Sequence, residues 1–110
     1  IISILKDRQK FRGTAIDISK KAINIAKYNA KIHHLSNRIK FYKSSVDNFF
    51  KHKYDLIVSN PPYIKRLELK YLDKDISGFE PIQALEGGID GFNVISKIVK
   101  KSSMLLKIGG

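Results

Sequence analysis

Residues 12–42 read as a strand, a capped helix and a second strand, and this succession limits the fold more than any other feature of the chain. Arg12 to Ile18 is a short, largely apolar run with an acid, Asp17, near its end, and it is expected to be a strand. Ser19 follows as a helix N-cap, placed to accept an N–H that the first turn leaves unpaired. Ala22, Ile23, Ala26 and Ala30 then recur close to the helical repeat with lysines between them, which predicts a helix over Lys20–Ile32. Ser36-Asn37 is a turn, and Arg38–Tyr42, with Ile39 and Phe41 alternating against charges, is a second strand.

The pattern continues beyond it. Val46–Lys51 is expected to be a short helix or turn. Tyr54–Ser59 has a continuous apolar centre, which suits a strand buried on both faces of a parallel sheet. Asn60-Pro61-Pro62-Tyr63 ends it, because neither proline has an N–H to extend a ladder. Residues 64–90 lack periodicity and hold several glycines, so a long loop is expected there, with one helical turn near Leu67–Leu72. Asp90–Lys107 reads as a final helix, with Phe92, Ile95, Ile98, Val99, Leu105 and Leu106 near helical spacing and Met104 in the core. Strands alternating with helices indicate an α/β domain with a mostly parallel sheet.

Composition removes several classes of function. The 110 residues favour one domain, and no apolar run reaches the roughly 18 residues of a membrane span. With no cysteine, a disulfide scaffold, a thiolate metal site and a cysteine nucleophile are excluded. Three histidines give no zinc-ligand spacing, so no metal is expected, and the adjacent pair His33-His34 is read as the end of the helix. The net charge of +11 favours polyanion partners, RNA or a ribosome among them. Only four of the basic residues are arginine, however, and solvated lysines are the simpler reading. The chain opens on Ile1-Ile2-Ser3-Ile4-Leu5 and closes on Gly109-Gly110, so both ends are expected to lie inside a longer protein; the opening has no signal-peptide pattern, and a cytoplasmic location is expected.

Two places can carry chemistry. Asp17, after a strand and before a helix, stands where nucleotide-binding α/β folds place an acid on ribose hydroxyls; a plain acid favoured by the helix dipole is the other reading. Asn60-Pro61-Pro62-Tyr63 is more specific. An Asn at the carboxyl end of a buried strand, stiffened prolines and a flat aromatic ring suit a planar NH2 group. One hydrogen goes to the Asn60 oxygen and the other to a carbonyl of the proline segment, with the ring of Tyr63 against the plane.

Asp55–Ile64, Asp-Leu-Ile-Val-Ser-Asn-Pro-Pro-Tyr-Ile, resembles the motif-IV signature of S-adenosylmethionine-dependent amino methyltransferases. Phe79-Glu80-Pro81, followed by Ala84-Leu85, Gly87-Gly88 and Asp90-Gly91, resembles the segment after that motif in the release-factor glutamine methyltransferases. Ala15–Ser19 with Ala22, Ala26, Asn29 and Ala30 is similar to that family's second strand and next helix. The resemblance implies a Rossmann-like methyltransferase fold, with residues 1–110 a partial catalytic domain. The first strand with its Gly-rich loop and the C-terminal strands would be missing, and Ile1–Leu5 would be the helix after that loop. The absent strand would lie between Arg12–Ile18 and Tyr54–Ser59, which without it would expose unpaired edges or move together.

The resemblance also implies roles. Asp17, with Ile18 beside it, would bind the ribose of S-adenosylmethionine, and Asn60 would border the cofactor as well. Asn60 and the Pro61 carbonyl would hold the glutamine amide of a peptide chain release factor, in its Gly-Gly-Gln motif. Pro62 and Tyr63 would wall that amide, and Phe79, Glu80 and Pro81 would shape the substrate pocket. The family's adenine-binding acid has no counterpart here: Ser45 stands near its place, and Asp47 comes two residues later. Methyl transfer to an amide needs orientation of the nitrogen rather than a strong base, since an amide proton is barely acidic. Two other readings stand beside it: an amino methyltransferase acting on adenine or guanine, and a truncated fragment acting only as a binding module.

Overall fold

The computed structural model describes residues 1–64 and 92–110, which fall into two compact units, Ile1–Phe49 and Phe50–Gly110. The first unit runs α1 (Ile2–Asp7), β1 (Gly13–Asp17), α2 (Lys20–Ile32), a 3-10 turn (Ser36–Arg38) and β2 (Ile39–Lys43). The two strands are parallel, in register from Gly13 opposite Ile39 to Asp17 opposite Lys43. This is the expected strand–helix–strand unit, and α2 has the expected bounds. Both strands differ at their ends from the expected Arg12–Ile18 and Arg38–Tyr42. Arg38 is occupied otherwise: it closes the 3-10 turn, its N–H donating to the Leu35 carbonyl at 2.9 Å, while its guanidinium donates to the carbonyls of Arg8 at 2.6 Å and Phe11 at 2.8 Å. Arg12 likewise turns its guanidinium to the Asn37 carbonyl.

The core of this unit is Leu5, Ala30, Leu35 and Ile39, with Ile2, Ala15 and Phe41 packed against them. It therefore draws on both helices and both strands. Ile23 and Ala30 are the buried positions of α2, on the alanine-rich face that the spacing predicts. At Gly13, the start of β1, an added side chain would have to displace the tip of Ile1. A Cβ on Gly13 would come within 2.5 Å of the Ile1 side chain.

The adjacent histidines end α2. His33 is the C-cap, and His34 takes a left-handed conformation, φ 56°. The Leu35 N–H donates to the Ala30 carbonyl at 2.8 Å and the His34 N–H to Lys31 at 3.0 Å, which is a Schellman motif. Buried Leu35 and Ala30 supply its apolar contact. The expected terminal role of the pair holds. Since a side chain strains the left-handed region, His34→Gly should stabilise the chain by about 0.5–1 kcal/mol in urea unfolding.

The second unit corrects two expectations. Tyr54–Ser59 does not form a strand among the described residues. Tyr54 makes a single parallel bridge with Leu106, and Leu56 and Val58 are 60% and 69% exposed. An apolar run is suited to a buried strand but does not supply the neighbour that a ladder requires, and the described sheet contains only β1 and β2. Helix α3 (Asn93–Leu105) is the final helix, shorter than the expected Asp90–Lys107. Its inward stripe is Val94, Ile98, Lys101 and Leu105, so Met104, placed in the core by the sequence, is turned away and 54% exposed. The expected loop over 64–90 and the helical turn at Leu67–Leu72 lie, but for Ile64, outside the described residues.

Tyr54 clips the end of α3: its N–H donates to Leu105 at 2.8 Å and its carbonyl accepts from Lys107 at 2.9 Å. Lys53 Nζ adds a bond to the Met104 carbonyl, and Lys107 Nζ lies 2.8 and 2.9 Å from the two Asp55 oxygens. The Lys107 ammonium, by hydrogen bond first and by charge second, holds the Asp55 carboxyl below the ordinary carboxylate range. The pair's contribution is present above the unfolded-state value and lost as pH falls through the lowered one. It is small, because both groups are exposed. Lys107→Gln should return the Asp55 titration, followed by carboxylate NMR, to the ordinary range.

Candidate functional site

The carboxyl ends of β1 and β2 gather three of the expected residues. Asp17 closes β1, and its backbone carbonyl accepts the Ser44 N–H at 3.0 Å. Its Oδ1 accepts the Ser19 N–H at 2.7 Å, while Ser19 Oγ accepts from the Ala22 N–H at 3.2 Å. Thus a short-range turn and the expected N-cap hold the carboxylate at the mouth of α2. Oδ2 has no hydrogen-bond partner among the described residues, and Oδ1 keeps a lone pair. A carboxylate so held still offers two acceptors to a vicinal diol. Ile18 follows it, 59% exposed.

Ser45 lies two residues beyond β2, half-buried, with its carbonyl accepting from Ser44 Oγ at 2.9 Å. Asp47 falls in the turn that follows. Asp17 and Ser45 therefore share one end of the parallel pair, where open α/β sheets hold their ligands. The signal that sequence reading missed is Ser44, whose N–H joins the two strand ends through the Asp17 carbonyl. Its small polar side chain directly after an alternating run was the available clue.

Asn60, Pro61, Pro62 and Tyr63 belong to the second unit. Asn60 and Tyr63 are exposed, the latter by 66%, and the prolines are half-buried. Each residue before a proline is restricted to extended backbone, so Asn60 and Pro61 are both stiffened. The Asn60 amide makes no hydrogen bond among the described residues. The segment thus presents one side-chain oxygen, one proline carbonyl and one exposed aromatic ring. Those are the acceptors and the flat surface that an NH2 group requires. Phe79, Glu80 and Pro81 lie outside the described residues. Among the described residues no group of three His, Asp or Glu side chains is placed to hold a metal ion.

The second unit also holds a lysine that the sequence did not single out. Lys101 is 6% exposed, and its Nζ lies 3.0 Å from the centroid of the Phe50 ring. The attraction between ammonium and ring face accounts for a charge on the inward stripe of α3.

Comparison with known proteins gives the same direction. The family model described as "Methyltransferase small domain" matches residues 1–74. The ribosomal protein uL3 glutamine methyltransferase of Francisella tularensis is 38% identical over 98 residues, covering 88% of this chain and 31% of the relative. The release factor glutamine methyltransferase of Thermodesulfovibrio yellowstonii is 36% identical, covering 99% of this chain and 39% of the relative. That of Bacillus subtilis is 33% identical, covering 96% and 37%. The chain spans between 31% and 39% of the length of these relatives. With a parallel strand–helix–strand unit ending in Asp17, and a match over two-thirds of its length, the chain belongs to the methyltransferase small domain family.

Proposed function

We propose that this chain is part of an S-adenosylmethionine-dependent methyltransferase acting on the side-chain amide nitrogen of glutamine, in the Gly-Gly-Gln motif of a peptide chain release factor in the cytoplasm. The observation that carries the reading is the stiff, exposed Asn60-Pro61-Pro62-Tyr63 segment, whose amide is unengaged among the described residues, in a chain similar to glutamine methyltransferases. That one relative is named for ribosomal protein uL3 supports a second protein substrate with the same acceptor group.

S-adenosylmethionine, when bound, supplies a methyl group on a sulfonium sulfur. Asp17 would hold its ribose, with Ile18 and Ser45 at the same strand ends. The chain's own task lies at the amide. The Asn60 oxygen and the Pro61 carbonyl accept the two N–H bonds, Pro62 and Tyr63 close one side, and Phe79, Glu80 and Pro81 border the substrate. Two acceptors carried on a stiffened backbone favour the positive charge that grows on nitrogen, and no side-chain base is required before transfer.

Asp17→Asn keeps one acceptor for the Ser19 N–H but removes the charge. In the protein that carries this chain it should weaken S-adenosylhomocysteine binding by about tenfold in calorimetry, the scale of a charge-assisted hydrogen bond. For the chain by itself, little binding is expected. The reaction is tested by transfer of labelled methyl to a release factor and to a variant whose motif glutamine is alanine. Label in the first alone is expected. Equal label in both removes the proposal, and label in nucleic acid would favour an adenine or guanine methyltransferase instead.

A further inference from the structure

We propose that the outer edge of β2 binds an acidic polypeptide segment by strand addition. This is independent of the methyl-transfer reading. Among the described residues β2 pairs with β1 alone. The Ser44 N–H points at β1, and in a parallel strand the N–H and C=O of one residue point the same way. By the two-residue repeat, Lys40 and Tyr42 also bond toward β1, each to the residues that flank its register partner, Thr14 or Ile16. Ile39, Phe41 and Lys43 therefore turn their N–H and C=O groups outward, three donors and three acceptors in a row.

A groove of about 500 Å³ runs along this edge, lined by Lys27, Lys31 and Ser36 from α2 and the turn after it, and by Lys40, Phe41 and Tyr42 from β2. Its charge is one-sided. Lys27 and Lys31 stand one turn apart on α2, above the face of β2 that carries Ile39 and Phe41. Lys40 lies on the opposite face, because successive strand side chains alternate. None of the three lysines makes an ion pair or side-chain hydrogen bond among the described residues. An added strand would thus find free ammonium groups on both of its faces, which fits one carrying Asp or Glu at neighbouring positions.

Other occupants fit less well. A second copy of this chain would set lysines against lysines, with a net charge of +11 on each copy. An RNA backbone offers phosphate acceptors to the lysines but only its 2′-hydroxyls as donors to a row of outward carbonyls. Only another extended polypeptide supplies donors and acceptors at the strand repeat.

The test is fluorescence anisotropy of the 110-residue chain with a labelled peptide, Glu-Asp-Val-Glu-Asp-Val. Saturable binding is expected, weakening by about tenfold or more in the triple variant Lys27→Ala, Lys31→Ala, Lys40→Ala. N-methylation at one alternate set of peptide residues should abolish binding, and at the other set should not, since a strand turns only one set toward its neighbour. Four results would overturn the proposal: no binding, equal binding of both N-methylated peptides, tighter binding of a short uridine oligonucleotide, or a dimer in sedimentation that the peptide fails to dissociate.

Discussion

Asn60→Ala, made in the protein that carries this chain, should lower kcat/KM for methyl transfer by about 10²–10³-fold, the scale found when one preorganised donor or acceptor is removed from a reacting group. The fold should be untouched. Asn60 is exposed and its amide holds no other group among the described residues, so alanine leaves no buried atom unpaired and opens no cavity. What disappears is one of two acceptors for the amide N–H bonds. With the Pro61 carbonyl alone, the nitrogen rotates and the plane of the amide is no longer set. Far-ultraviolet circular dichroism and the unfolding midpoint should match the parent. A large fall in activity together with loss of the fold would mean that Asn60 is structural.

Leu5→Ala should have the largest effect on stability, about 2–5 kcal/mol by the usual cost of a leucine-sized cavity. Leu5 is 2% exposed and meets Ala30, Leu35 and Ile39, joining α1 to α2 and β2. In a unit of this size few other large side chains are buried, so the cavity has little with which to collapse. Ile25→Ala, at a position 52% exposed, is the contrasting control and should change stability by less than about 0.5 kcal/mol. Chemical denaturation of both variants checks the pair. A Leu5→Ala loss no greater than that of Ile25→Ala would show that α1 contributes nothing to the core.

What could be read from the residues, and what could not, divides on physical lines. Helix α2 was legible because its cap, its alanine face and its end lie within one short stretch. The start of β2 differs from expectation because Arg38 closes a 3-10 turn through its backbone bond to Leu35, which a hydropathy pattern does not register. Tyr54–Ser59 has the composition of a buried strand, yet pairing depends on a neighbour that composition cannot name. Met104 was placed inside because apolar residues crowd that end of α3, while the inward stripe includes Lys101, a charge that the pattern excludes. At the site, the acid at Asp17 and the cap at Ser19 could be read from type and order. The bond from Ser44 to the Asp17 carbonyl joins residues far apart in the chain and appears only once the strands pair.

The central claim is that the acceptor is a glutamine amide nitrogen. The direct measurement is tandem mass spectrometry of a release factor treated with S-adenosylmethionine and the protein that carries this chain. One added methyl is expected, located on the side-chain nitrogen of the glutamine in the Gly-Gly-Gln motif and absent with Asn60→Ala. A methyl located on any other residue, or an unmodified motif under conditions where the enzyme consumes its cofactor, would contradict it.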